Sequence, residues 1–184
     1  MLFRSLFGLV ARDSTSLLEP SIPQLCECLG QQSTVAPTIQ VLQDIAASRP
    51  KCLVDHLPAF KATAVRFPKA TVSVVQLMAT VARSNIDKSR DTLDYVFDVV
   101  TSVELEKQNI VFKEVSLILQ KFPSLLNSNL INRLGRLEDH CSMAAKGIIQ
   151  DIRSEYNMQR IDLPQEKTDI GRMREGVTIV KVGG

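Results

Sequence analysis

Apolar residues recur at spacings of three and four along most of this 184-residue chain, and the pattern returns about every 36 residues. The segments 38–50 and 111–123 match at a constant offset of 73, which is two such periods. The matched residues are Ile39, Leu42, Ile45 and Pro50 in the first segment, and Phe112, Val115, Ile118 and Pro123 in the second. Val75, Met78 and Val81 take the corresponding places one period after the first segment. A repeat of this kind constrains the whole fold, because each copy must pack against its neighbours.

Spacings of three and four place the apolar residues on one side of a helix, so the pattern predicts amphipathic helices and no alternating strands. Two apolar stripes follow each other in the middle of the chain: Leu53, Leu57, Phe60, Ala64 and Phe67, then Val74, Leu77, Met78 and Val81. Further helix pairs are predicted at 17–29 with 34–48, 88–103 with 108–122, and 124–141 with 142–156. The predicted fold is all-α, an α-solenoid of about four antiparallel helix pairs of the HEAT/armadillo type, since the tetratricopeptide pattern needs a Trp that this chain lacks.

The prolines divide into two groups by their position in this pattern. Pro50, Pro68 and Pro123 stand where one helix ends and another begins, where the missing N–H costs little. Pro23 and Pro58, 35 residues apart, lie inside the first helix of a pair. A proline there predicts a bend unless the helix begins at that point.

The pattern predicts a helical-repeat domain over 1–157 and a flexible C-terminal extension over 158–184. Beyond Tyr156 the apolar stripe is lost, and Pro164 and four glycines appear. Residues 177–182 could alternatively form a strand on the edge of a partner's sheet. Residues 1–12 are amphipathic and free of acids, which is typical of a mitochondrial targeting segment, but Val10–Arg12 also repeats Val81–Arg83 and then belongs to a helix pair.

Composition argues against several classes of partner and cofactor. The net charge of +2, with acids and bases interspersed, gives no reason to expect nucleic acid. Four scattered cysteines, Cys26, Cys28, Cys52 and Cys141, suit buried free thiols in a reducing compartment better than disulfides or a zinc site. No apolar run reaches the roughly 20 residues that span a bilayer. We therefore expect a cytoplasmic protein with no metal and no cofactor.

No arrangement of nucleophile and base is visible in the sequence, so we expect no enzymatic activity. His56 follows Asp55 and His140 follows Asp139, and neighbours in a helix point about 100° apart. Neither pair therefore forms an ordered dyad. A helical-bundle enzyme or ligand-binding protein remains the alternative, and it would need a deep pocket with perturbed carboxylates or histidines. Both histidines and a cysteine in one cavity would support it.

Two groups of charged residues could mark a partner surface. The candidate site is an acidic row, Asp87, Asp91, Asp94 and Asp98, whose spacing of four, three and four places it on one helical face. An ordinary solvent-exposed face is the commoner explanation of such a row. A modest basic ridge is predicted from Arg49, Lys51, Lys61, Arg66 and Lys69.

Several motifs in residues 3–135 resemble the N-terminal helical region of the Melted family, also called ventricular zone expressed PH domain-containing proteins. They include the "HLPAFK" segment at 56–61, the "RFP" helix end at 66–68 and the "ID-x-x-R" sequence at 86–90. The likeness runs from LQDIAASRPKCLVDHLPAFKATAVRFPKAT into LMATVARSNIDKSRDTLDYVFDVV. These motifs are structural and not catalytic.

The resemblance implies an intracellular adaptor that takes part in insulin, growth and TGF-β signalling and binds protein partners. Full-length family members add a C-terminal pleckstrin homology domain that contacts phosphoinositides at the plasma membrane. This chain lacks the strand-rich hundred residues of that domain, so we expect no direct lipid binding. We expect a fragment or a shortened homologue that acts as a scaffold, with its partners and oligomeric state left open.

Overall fold

A computed structural model describes residues 19–162, and every regular element in that range is helical. The α-helices are α1 (Ile22–Cys28), α2 (Gln32–Ser48), α3 (Leu57–Arg66), α4 (Thr71–Ala82), α5 (Ile86–Val99), α6 (Gln108–Lys121), α7 (Ser128–Glu138) and α8 (Met143–Asp162). Short 3-10 helices stand at Glu19–Ser21, Pro50–His56, Pro68–Ala70, Val100–Ser102, Leu105–Lys107 and Pro123–Leu125. Two compact units divide the chain within α8, the first ending at Arg153 and the second beginning at Ser154. The prediction of an all-α fold is confirmed.

Three prolines punctuate the helices as the sequence predicts. Pro50, Pro68 and Pro123 each open a 3-10 helix, and one residue separates each proline from the end of the preceding α-helix. The residues before them share one backbone conformation: Arg49 (φ −137°, ψ 66°), Phe67 (φ −126°, ψ 81°) and Phe122 (φ −128°, ψ 77°). The proline ring disfavours helical angles at the preceding residue, so the same local clash ends all three helices.

The other two prolines also stand at helix starts. Pro23 and Pro58 lie in the first turns of α1 and α3, where an N–H has no partner within the helix. Neither proline bends a longer helix. Each stands instead just after the junction between a 3-10 helix and the α-helix that follows it. Pro37, in contrast, lies inside α2, a position that the sequence analysis did not single out.

Helix α4 is the centre of the first unit. It packs against α2, α3, α5 and α6, and also against the 3-10 helix Pro50–His56. The residues matched by the repeat lie on α2, α4 and α6, and all nine are at most 3% exposed: Ile39, Leu42, Ile45, Val75, Met78, Val81, Phe112, Val115 and Ile118. The matched positions are thus buried on all three helices, and the two apolar stripes predicted in the middle of the chain are buried except for the half-buried Phe67.

A buried glutamine joins the connection between α5 and α6 to the start of α8. Gln108 is 1% exposed, and its Nε2 donates to the carbonyl oxygens of Val100 at 3.3 Å and Val103 at 3.4 Å. Its Oε1 accepts from the backbone N–H of Ser142 at 2.9 Å. The side chain thus bonds three backbone groups of this corner, of which the Val100 carbonyl oxygen also accepts from Val103 N–H at 3.1 Å.

Asn85 caps the N-terminus of α5. Its Oδ1 accepts from the backbone N–H groups of Asp87 at 2.9 Å and Lys88 at 3.2 Å. We expect Asn85→Ala to lower the free energy of unfolding by about 1 kcal/mol, because two N–H groups of the first turn lose their acceptor. Urea denaturation measures the change, and Asn85→Asp should keep most of the stability. An alanine variant as stable as the wild type would contradict the cap.

Several predicted helix ends differ from the observed ones. Helix α7 begins at Ser128 and not at residue 124, because Pro123–Leu125 forms a 3-10 turn and Asn127 caps the helix through Leu130 N–H at 3.0 Å. Helix α8 continues to Asp162, past the predicted end near residue 156, since the next helix-breaking residue is Pro164.

Some predictions concern residues outside the described range. The targeting segment or helix half at 1–12, the start of the helix predicted from residue 17, and the strand at 177–182 all lie there. The division of the chain at 157 and the flexibility of 158–184 stay predictions. In residues 19–162, none of the helices has the length and hydropathy needed to cross a bilayer.

Candidate interaction surface

The predicted acidic row lies on helix α5. Asp87, Asp91, Asp94 and Asp98 are all exposed. The opposite side of the helix is buried through Leu93, Val96 and Phe97, among others. The strict separation of apolar and acidic residues along α5 fixes its orientation, because only one side can enter the core. The structure therefore presents the four carboxylates together to solvent.

Two arginines approach the acidic row. Arg133, on α7, pairs with Asp94 and lies 4.0 Å from Asp98, and its guanidinium stacks over the Phe97 ring at 4.9 Å. Arg90 pairs with Asp87 within α5 at 3.3 Å. Exposed pairs of this kind contribute little to stability, typically about 0–1 kcal/mol.

Asp91 is the carboxylate of the row that has no ion-pair partner among residues 19–162. Four carboxylates thus face two guanidinium groups, and the row keeps a negative excess. Arg133 was missed by the sequence analysis, because it lies 39 residues beyond Asp94 and no local spacing links the two. Between α5 and α7, a small cleft of about 150 Å³ is lined by Leu93, Leu130 and the Asp94–Arg133 pair.

The predicted basic ridge has members in different environments. Lys61 is half-buried, and its Nζ lies 5.3 Å from the centre of the Tyr95 ring. Arg66 and Lys69 are exposed, and both line a groove beside α2. Arg49 and Lys51 are exposed as well. Burial raises the pKa of the Tyr95 hydroxyl above its ordinary value.

The histidines and cysteines show no metal-binding geometry in the described part of the chain. No three His, Cys, Asp or Glu side chains within residues 19–162 could hold one ion. His56 is half-buried at the end of a 3-10 helix, and His140 is exposed in the turn between α7 and α8. Burial raises the pKa of the Cys26 and Cys141 thiols, which leaves less of the nucleophilic thiolate at neutral pH. The expectation that this chain has no cofactor and no enzymatic activity stays a prediction.

One ion pair links the central helix to its successor. Arg83 Nη1, at the end of α4, lies 3.1 Å from Glu114 Oε2 on α6, and the Glu114 side chain is 15% exposed. Burial raises the pKa of the Glu114 carboxyl above its ordinary 4.5, and Arg83 lowers it in part.

This raised pKa predicts a particular pH dependence. Between pH 4.5 and the raised pKa of the folded state, Glu114 binds more protons in the folded chain than in the unfolded chain, so the free energy of unfolding of the wild type falls as pH rises through this window. We expect the free energy of unfolding of Glu114→Gln, relative to the wild type, to increase over the same window. Urea denaturation between pH 3 and 7 measures the difference.

Glu104→Gln is the control of opposite sign. A hydrogen bond from Lys107 lowers the pKa of the exposed Glu104, so its ionisation stabilises the fold as pH rises below 4.5. This variant should lose stability relative to the wild type over that lower range. A Glu114→Gln difference that does not change with pH would contradict the burial of that carboxylate.

These elements define an all-helical protein in its described range, with an aliphatic core between successive helices and charged, exposed helix faces. Its sequence is 25% identical over 126 residues to the protein Melted of Drosophila melanogaster. The matched region is 68% of this chain but 12% of Melted, so the chain corresponds to a small part of that relative. The match supports the distant relationship to Melted that the motifs suggest. No protein-family model matches the chain, and no solved structure does.

Proposed function

We propose that this chain is a non-enzymatic helical-repeat module of a Melted-like signalling protein, and that it binds protein partners through its exposed helix faces. The distant similarity to Melted supports the signalling class. The resemblance to that family extends the proposal to insulin, growth and TGF-β signalling and to a cytoplasmic location, with membrane association a property of full-length relatives.

The packing of α2, α4 and α6 is the observation that carries the repeat proposal. These helices are the second members of successive pairs, and α4 packs against both α2 and α6. First members pack against second members in the same order, α1 on α2, α3 on α4 and α5 on α6. Helices that pack in the order of the chain, with equivalent positions buried, are the arrangement expected of a HEAT-like α-solenoid.

A stack of this kind leaves long helix faces for partners, because each helix uses only one side for the core. The acidic row on α5 is the proposed partner surface, and Asp91 is its least neutralised member. Interfaces that carry one sign of charge attract partners of the opposite sign and speed association. We therefore propose a partner that presents basic residues to Asp87, Asp91, Asp94 and Asp98.

Affinity purification of the full 184-residue chain tests this function. The test variant neutralises three acids of the row by Asp91→Asn, Asp94→Asn and Asp98→Asn. A matched control neutralises three other exposed acids by Asp139→Asn, Asp151→Asn and Glu155→Gln. Quantitative mass spectrometry should show partner proteins that bind the wild type and the control, and that fall at least tenfold with the test variant.

Two outcomes would contradict the proposal at different levels. Equal recovery with both variants, at equal thermal stability, would reject the acidic row as the partner surface. Failure of the wild type to retain any specific protein would reject the interaction module itself.

A further inference from the structure

A groove runs between α2 and the turn that joins α3 to α4. Its volume is about 590 Å³. The floor is apolar, formed by the buried Val35 and Ile39 from α2 and by the half-buried Phe67 and Ala70 from the turn, and the exposed Ala36 also lines the groove. An open groove with an apolar floor suits the side chain of a bound segment, because burying it removes apolar surface from water.

The rim of this groove is cationic. Arg66 and Lys69 are exposed members of the lining, and no carboxylate lines the groove. Neither cation forms a salt bridge within residues 19–162, although the charge of Lys69 contributes to lowering the pKa of Glu104. The Arg66 guanidinium stacks over the Phe67 ring at 5.6 Å, which places the positive charge directly beside the floor. Two cations without a salt bridge in the described residues favour an anionic ligand.

Three glutamines of α2 also line the groove. Gln43 donates through Nε2 to the Ser73 carbonyl oxygen at 3.2 Å, and Gln40 Nε2 lies 3.5 Å from Asp44 Oδ1. Among the described residues, the amide oxygens of Gln40 and Gln43 accept no hydrogen bond, and Gln32 is exposed. Amide side chains can pair with both the N–H and C=O groups of a peptide backbone. This side of the groove therefore offers hydrogen bonds to an extended chain.

We propose that the groove binds an extended acidic peptide segment of a protein partner. An apolar side chain of the segment occupies the floor, a carboxylate beside it pairs with Arg66 and Lys69, and the peptide backbone bonds to the glutamines. The stretch from Gln32 to Gln43 is about 16 Å long at the helical rise per residue. That length matches about five residues of extended peptide. The assignment rests on the proposed function, to which it adds a binding site and a ligand chemistry.

A membrane surface fits the groove less well than a peptide does. Helices that bind membranes insert protruding apolar side chains between lipids. The apolar residues here form the floor of a concave groove, which a flat bilayer surface does not reach. Arg66 and Lys69 alone would remain for a lipid headgroup.

Selection from a phage-displayed library of random, unphosphorylated twelve-residue peptides tests the proposal on the full chain. We expect the selected peptides to carry Asp or Glu next to Leu, Ile or Phe. Their affinity, measured by fluorescence polarisation with synthetic copies, should weaken as salt rises, because ionic contacts are screened.

Two variants locate the binding site. Arg66→Glu with Lys69→Glu should weaken binding at least tenfold, while Lys113→Glu with Lys121→Glu, a matched pair of exposed cations on α6, should leave it unchanged. Ala36→Tyr keeps the charge and fills the groove, so it should also weaken binding at least tenfold. Thermal unfolding of each variant checks that the fold persists.

Three results would overturn the assignment. The first is a selected set without acidic residues. The second is acidic peptides that bind the groove variants as tightly as the wild type. The third is recovery of no peptide, together with sedimentation of the chain on vesicles containing 30% phosphatidylserine that Arg66→Glu with Lys69→Glu abolishes. In each case the general interaction function is judged separately, by whether the wild-type chain retains protein partners in the affinity purification.

Discussion

Replacing Met78 by alanine is expected to lower the free energy of unfolding by about 2–5 kcal/mol. Met78 lies on α4, is fully buried at 0% exposed, and belongs to the helix that packs against four others. Truncating its side chain removes apolar contacts and leaves a cavity, because the surrounding helices can move into the empty space only in part. A loss of this size is a large part of the roughly 5–15 kcal/mol that stabilises a typical domain.

Urea denaturation followed by circular dichroism measures the effect. Leu117→Ala is the matched control, because Leu117 lies on α6 with 42% of its surface exposed and should cost well under half as much. If both variants were equally stable, α4 would not be the centre of the core. If the slope of the free energy of unfolding against urea concentration is unchanged, the variant still unfolds as one unit.

Gln108→Glu should destabilise the fold by about 3–5 kcal/mol at pH 7, although it changes one atom. The carboxylate can still accept from Ser142 N–H, but its oxygen now faces the Val100 and Val103 carbonyl oxygens to which the amide donated. The site is 1% exposed, so water cannot solvate the new charge.

The pH dependence separates this mechanism from a simple loss of packing. A carboxyl buried against carbonyl oxygens has a raised pKa, so the folded variant binds more protons than the unfolded one. The defect should therefore shrink as pH falls from 7 towards 4. Gln120→Glu, at an exposed site on the same helix, should be nearly neutral at both pH values. A pH-independent defect at residue 108 would contradict the hydrogen bonds described.

Local sequence patterns predicted much of the helical structure, because they act over a few residues. The helix ends before Pro50, Pro68 and Pro123 follow from a clash between neighbouring residues. The buried stripes follow from spacings of three and four, which any amphipathic helix must respect. The acidic row lies on one exposed face for the same reason.

Contacts between distant residues could not be predicted in this way. Arg133 reaches Asp94 from a helix 39 residues later, and Gln108 meets Ser142 across 34 residues. The peptide groove combines residues of α2 with the turn before α4, which are far apart in the sequence. From the sequence alone, its cations Arg66 and Lys69 were therefore assigned to a basic ridge. The predicted helix starts were also imprecise where a 3-10 helix precedes the α-helix, as at Pro58. A proline in the sequence is compatible with either a bend inside a helix or the first turn of a helix.

The order of the helices in space is the central claim, and methyl NOE spectroscopy of the labelled full chain tests it most directly. The account predicts cross-peaks that join Leu42 and Ile45 of α2 to methyl groups of α4, and others that join α4 to Val115 and Ile118 of α6. Cross-peaks that mainly connect α2 directly to α6, with few to α4, would contradict it.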